Sequence, residues 1–305
     1  MTTILDQDTA PATPPVAHET RAERKQRSHN GPKHSHTALV LGLGFALWLF
    51  VGFVTIHLLH NTAAVPGWII IGAALVPSTV VWSMAHRLTA SDSLTGAKLV
   101  QTVLIGGALS FSLGATLDQL VELIPQPDSA AMGNGVIALA LAGFVEEFAK
   151  GAIIVAVGWN AVKTARNGLF IGGSVGAGFA ILETVSYIIR NYAGDSPVYA
   201  AAQVTAERGL LAPFMHILWS ALLGAAIFAA AKNRRFGFSA GLLGTYVLVS
   251  VLHGSFDGGG SLISIAVGDT AIGGVLTVPI MLIVTVIGFF TWRHVARKNR
   301  AVVNA

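Results

Sequence analysis

The chain has 305 residues, 53% of them hydrophobic and only 11% charged, with a formal net charge of +4 and no cysteine. A soluble domain carries about 25% charged residues, so this balance belongs to a polytopic membrane protein. The absence of cysteine excludes disulfides, thiolate metal ligands and cysteine nucleophiles, and the basic residues fall in short clusters between apolar runs, a topology pattern and not a nucleic-acid signal.

Residues 1–36 are polar and poor in aromatics, which predicts a disordered tail made basic by Arg21, Arg24, Lys25, Arg27 and Lys33. Its His29, His34 and His36 read as solvated tail histidines. No cleavable signal peptide is evident, because the first apolar run starts too late and is too long. Apolar runs then follow at 38–59, 65–85, 98–124, 133–159, 168–189, 209–231 and 236–255, with a last one ending near Trp292. Each is long enough to cross a bilayer, for which about 20 residues suffice. The links at 86–98, 160–167 and 232–235 are basic, as are both tails, whereas the links between them are neutral, acidic or mixed. Basic links mark the cytoplasmic side. The expectation is an all-α, polytopic transmembrane helix bundle of about eight spans with both termini cytoplasmic. It divides into a tail at 1–36, a membrane domain at 37–292 and a basic tail at 293–305. No internal repeat of the inverted-transporter kind is present.

Within the fourth run lie Glu146, Glu147 and Lys150, three ionisable residues among Leu, Ala, Ile, Val and Gly. Each costs roughly 2.5–3.5 kcal/mol at mid-membrane on insertion scales. On a helix Glu146 and Lys150 share one face, and Glu147 points about 100° away. The bland account is a Glu–Lys pair that locks helices together; the sharper one is a reaction site. Five further positions favour the second: Glu183, with Phe179 one turn before it, His216, and His253 with Asp257 one turn after it. By the predicted topology all of them can meet in one cavity in the outer half of the bilayer. Carboxylates crowded at low dielectric need a shared proton or a cation. Two histidines beside them supply either zinc ligands or donors to an oxyanion, and a glutamate can take a proton from water. The set suits amide hydrolysis with water as the nucleophile. There is no Gly-x-Ser-x-Gly run and no nucleotide fingerprint: the glycines at 172–178 sit inside an apolar run, not after a strand.

At these residues the chain resembles the PrsW family of bacterial intramembrane proteases, grouped with the CAAX prenyl endopeptidases and the bacteriocin self-immunity proteins. The family's pattern is Glu-Glu-x-x-Lys, then Phe-x-x-x-Glu, then two helix-borne histidines, the last followed by a carboxylate. Glu146, Glu147 and Lys150, Phe179 and Glu183, His216, and His253 with Asp257 match it in order over residues 135–260. Thr184 departs from it, since an Asn usually follows the motif's glutamate there. The resemblance implies a protease domain in the bacterial plasma membrane. Its substrate would be a single-span membrane protein of the anti-sigma-factor kind, cleaved near the outer face in stress signalling, with no nucleic-acid partner. Similarity to the CAAX endopeptidases implies the first glutamate, Glu146, as general base, and Glu147 is then expected to orient the water or the scissile backbone. The resemblance allows either a zinc ion held by Glu183, His216 and His253 or a glutamate-type site without metal. Two competing functions use the same residues: a proton- or cation-coupled transporter with a carboxylate–histidine relay, and a membrane partner that kept the fold without catalysis.

Overall fold

The computed structural model describes residues 37–88, 93–124, 136–192, 204, 208 and 212–301. The basic tail with His29, His34 and His36, the link with Asp128 and most of the link at 190–208 lie outside the described residues. Every predicted apolar run falls on a helix, and the one β-type contact among the described residues is an isolated bridge between Lys232 and Arg235. Helix α1 (Thr37–Phe50) continues as a π-helical stretch, Val51–Leu58, and α2 spans Val65–Ala85. Next come α3 (Gly96–Gln101), a second π stretch at Thr102–Gly106, and α4 (Gly107–Glu122). Helices α5 (Val136–Val157), α6 (Ala165–Tyr192), α7 (Ala212–Ala229) and α8 (Ala240–Val267) follow. Helix α9 (Thr270–Ala301) runs past Trp292, so Arg293, Arg297 and Lys298 sit on its final turns.

Five helical segments are long and apolar enough to cross a membrane: Leu39–Leu58, Thr62–Ala85, Gly96–Glu122, Ala165–Arg190 and Thr270–Lys298. The protein is a multi-pass membrane protein of purely helical class. Burial separates an inside from an outside, since 78% of the most apolar window of α6 is buried against 17% in those of α1 and α9. Helix α6 is therefore the axis of the bundle, and its sequence explains why. Gly168, Gly172 and Gly176 repeat every four residues along one face, where a side chain would run into the backbone of α7 at Gly224, Ser220 and His216. On another face Gly178 meets Val103 and Gly107 with the same closeness. In lipid, where apolar burial gives no drive for helix pairing, such close backbone approach supplies it. Gly143 lets α5 meet α8 at Ser250 and Gly254 in the same way.

Helix ends follow from local chemistry. Thr95 opens α3 by accepting from the Lys98 amide at 3.1 Å, and Ser239 opens α8 by accepting from the Leu242 amide at 3.1 Å. After α5, the Lys163 ammonium donates to the carbonyls of Gly158, Trp159 and Ala161 at 2.6–2.9 Å. That satisfies carbonyls the helix end leaves open. Helices α1 and α2 are tied by a clasp: each of Trp48 and Trp68 donates its indole N–H to the other's carbonyl at 3.0 Å, with the rings stacked 5.1 Å apart.

Candidate active site

The site is assembled from α5 outward. Lys150, fully buried, reaches Glu147 Oε1 at 2.9 Å and Glu146 Oε2 at 3.4 Å. Lys150 therefore stays with both glutamates and does not snorkel away from them. Its ammonium also donates to His216 Nδ1 at 3.0 Å and sits 3.9 Å over the Phe179 ring. A cation on an aromatic face is attracted by the ring's quadrupole, which gives the phenylalanine of the second motif a physical role. An ammonium has only donors, so the neutral His216 ring accepts at Nδ1 and carries its proton on Nε2, which lies 2.9 Å from Glu183 Oε2 without being aligned as a hydrogen bond.

The second histidine is held from the opposite side. His253 Nδ1 contacts Glu147 Oε1 at 3.0 Å, which assigns its proton to that nitrogen. Its Nε2 lies 3.1 Å from Asp257 Oδ2 and 3.4 Å from Glu146 Oε2. Neither contact is aligned as a hydrogen bond, and the atom is buried without a hydrogen-bond partner. The two imidazoles stand edge to face 4.9 Å apart, with the Trp219 ring 5.2 Å from that of His253. Arg208, from the connection between α6 and α7, contacts Glu183 Oε1 at 3.3 Å and Asp257 Oδ1 at 3.2 Å. These contacts close a ring. It runs Arg208, Glu183, His216, Lys150, Glu147, His253, Asp257 and back to Arg208, with no link longer than 3.3 Å.

Every sequence-predicted site residue is therefore in one cluster: Glu146, Glu147, Glu183, His216, His253 and Asp257, with Lys150 and Phe179 in support. One residue was missed and one was readable only in part: the sequence offers Arg190 or Arg208 as a pairing partner for Glu183, and Arg208 is the one that pairs, reaching Asp257 as well. Asp118 of α4 was passed over, although its carboxyl meets that of Glu146 and its Oδ1 is buried without a partner. The signal was an acid inside an apolar run, one turn after Gly114, whose bare Cα lets Glu146 Cγ and the Phe179 ring come close. Thr184, the departure from the motif, is fully buried with its hydroxyl unpartnered.

The cluster holds five carboxylates, Asp118, Glu146, Glu147, Glu183 and Asp257, against two fixed cations, Lys150 and Arg208. The balance must come from protons on the histidines and acids or from a bound cation. Glu146, His216 and His253 offer ligand atoms that all lie within 4.8 Å of one another. Two imidazoles with one carboxylate is a donor set of catalytic zinc sites. The lone pair of His253 Nε2, free while Glu147 holds Nδ1, fits it; a carboxylate behind a ligand histidine is the usual support. His216 fits less freely, because Lys150 already serves its Nδ1.

A helical membrane bundle that encloses paired acids, histidines and a lysine carries a functional site and is not a passive scaffold, given what such groups cost in lipid. Residues 96–287, well over half of the chain, match the family model for PrsW family intramembrane metalloproteases. The chain belongs to that family. No curated protein and no solved structure matches it.

Proposed function

We propose that the protein hydrolyses a peptide bond of a single-span, anti-sigma-factor-like membrane protein near the outer face of the bacterial plasma membrane. In this reading the chain crosses about eight times with both termini cytoplasmic, and Glu146 activates the attacking water. The observation that carries the reading is an asymmetry within the glutamate pair. Glu147 is fully buried and its Oε1 is held by both Lys150 and His253, at 2.9 and 3.0 Å. Glu146 keeps 6% exposure, has looser contacts of 3.4 Å to the same two residues, and meets the carboxyl of Asp118. A glutamate whose Oε1 is gripped by two close partners fixes their orientation, whereas the partly exposed one with longer contacts to the same pair is placed to take a proton from water.

The steps follow from these roles. Water attacks the scissile carbonyl carbon as Glu146 takes one of its protons. The negative charge that develops on the carbonyl oxygen is met by the Nε2–H of His216, preorganised in a dry site where such a donor is worth more than in water. The carbon–nitrogen bond then breaks, and the proton held on Glu146 passes to the leaving amine. Glu147 keeps the His253 ring turned so that Nε2 faces Glu146 and Asp257, while Lys150 fixes the tautomer of His216. A zinc ion held by Glu146, His216 and His253 would supply a more acidic water and a polarised carbonyl, and Glu146 would then be a ligand in place of the base.

The test compares membrane proteomes of cells lacking the gene and complemented with wild type or Glu146→Gln. One single-span protein should be shortened by wild type and intact with the variant. Identical membrane proteomes in all three strains would contradict the reading.

A further inference from the structure

We infer that Arg208 is a positioning residue of the reaction, one that aims both histidines through the two carboxylates it joins. The motifs of the site lie on membrane helices; Arg208 comes from the connection between α6 and α7 and belongs to none of them. Its Nη2 takes one oxygen from each of Glu183 and Asp257. The second oxygen of Glu183 faces His216 Nε2 at 2.9 Å, and the second oxygen of Asp257 faces His253 Nε2 at 3.1 Å. One guanidinium nitrogen thus holds the rotation of two carboxylates, and the second oxygen of each lies against the Nε2 of one imidazole, in contact but not aligned as a hydrogen bond. The rings come from different helices, α7 and α8, and no closer side-chain link joins Glu183 to Asp257 among the described contacts.

The guanidinium is itself fixed. It lies 3.7 Å over the Tyr187 ring and its side chain is only 14% exposed. A planar fork stacked on an aromatic ring loses little further freedom when it binds carboxylates, which a flexible ammonium does not reproduce. Arg190 also stacks on Tyr187, but it bonds Ser186 instead of the acids, so it makes a matched control. Without Arg208, Glu183 and Asp257 are two facing anions with nothing between them, and they should rotate apart. Displacements of about 1 Å at a reacting centre cost on the order of 10²-fold in rate.

The inference rests on the proteolytic reading, and two measurements keep the two apart. In detergent or nanodiscs, cleavage of the substrate by Arg208→Gln should fall about 10²-fold in kcat with KM little changed. Arg208→Lys should recover part of the rate, and Arg190→Gln should match wild type. Because the chain has no cysteine, Arg208→Cys can be modified at that position alone. A positively charged aminoethyl thiosulfonate reagent should restore activity that its sulfonate counterpart does not. Independently of turnover, ¹⁵N spectra of histidine-labelled protein should show the ring signals of both His216 and His253 displaced in Arg208→Gln and unmoved in Arg190→Gln. If wild type cleaves nothing, the proteolytic reading fails and the histidine spectra still decide the role of Arg208. Unchanged histidine signals, or Arg208→Gln turning over within threefold of wild type, would overturn the inference.

Discussion

Two parts of the molecule tie helices together by reciprocal side-chain contacts, and they do so with opposite chemistry. The clasp between α1 and α2 uses two stacked tryptophans and two neutral hydrogen bonds of 3.0 Å. Its surroundings are apolar, with Ile56, Ile69 and Ala73 buried beside the indoles and Ile188 of α6 against them. The ring among α5–α8 joins helices with carboxylates, imidazoles, an ammonium and a guanidinium, several with no exposure at all. Indoles give cohesion in lipid at little desolvation cost; buried ions give it only against a large penalty. The same chain had the cheaper solution available, so the ionic one is retained for its chemistry. The family match at 96–287 leaves the clasp outside and includes the ring.

The comparison breaks first, if it breaks, at Lys150. Replacing it by Met leaves Glu146 and Glu147 buried without their shared cation, and removing one partner from a buried pair costs about 3–5 kcal/mol. Unfolding in mixed micelles should show a loss of that size, together with loss of cleavage. A Lys150→Met protein as stable as wild type would mean that the ring is not tightly coupled. Asp118→Asn should act on rate more than on fold, with kcat down about tenfold, or about 1.4 kcal/mol, and an unchanged unfolding midpoint. A stability loss with normal kcat would move Asp118 to the structural side. Trp68→Phe should show the reverse pattern: about 1 kcal/mol of stability from the lost hydrogen bond, with turnover unaffected. Reduced turnover in a folded Trp68→Phe protein would show that the clasp feeds the site. The metal proposal is read from composition, with about one zinc per purified chain expected and lost in His253→Ala. A metal-free, active wild type would leave Glu146 and the imidazoles as the whole machinery.

Much of this was legible in the sequence, for reasons that differ by element. The helices were readable because apolar length is the membrane's own requirement. The glycines at 172, 173, 176 and 178 allow close helix approach in lipid, and the structure adds Gly168 and identifies the α7 backbone as the partner of Gly168, Gly172 and Gly176. The acids, lysine and histidines stood out because each is anomalous in lipid, and their order along the chain carried the resemblance. What the sequence hid was partnership across helices. Nothing local to Arg208 shows that it spans Glu183 and Asp257, and a single acid near the end of an apolar run, Asp118, looks like an interfacial residue until α4 is seen against Glu146. The position of Lys150 was also beyond reach: i,i+3 and i,i+4 spacing allowed it either glutamate, and only the arrival of His216 and Phe179 from α7 and α6 holds it on both. The π-helical end of α1, where Gly52 receives the Trp68 indole, likewise depends on a residue 16 positions later.

The central claim is the division of labour inside the glutamate pair, and steady-state cleavage by Glu146→Gln and Glu147→Gln, at equal inserted amounts, tests it most directly. Gln keeps the shape and removes the base, so Glu146→Gln should lose on the order of 10²–10⁴-fold in kcat with its unfolding midpoint preserved. Glu147→Gln, whose amide oxygen can still accept from Lys150 or His253, should retain more of the rate and lose more of the stability. Near-normal cleavage by Glu146→Gln beside an inactive, folded Glu147→Gln would contradict the account and exchange the two roles.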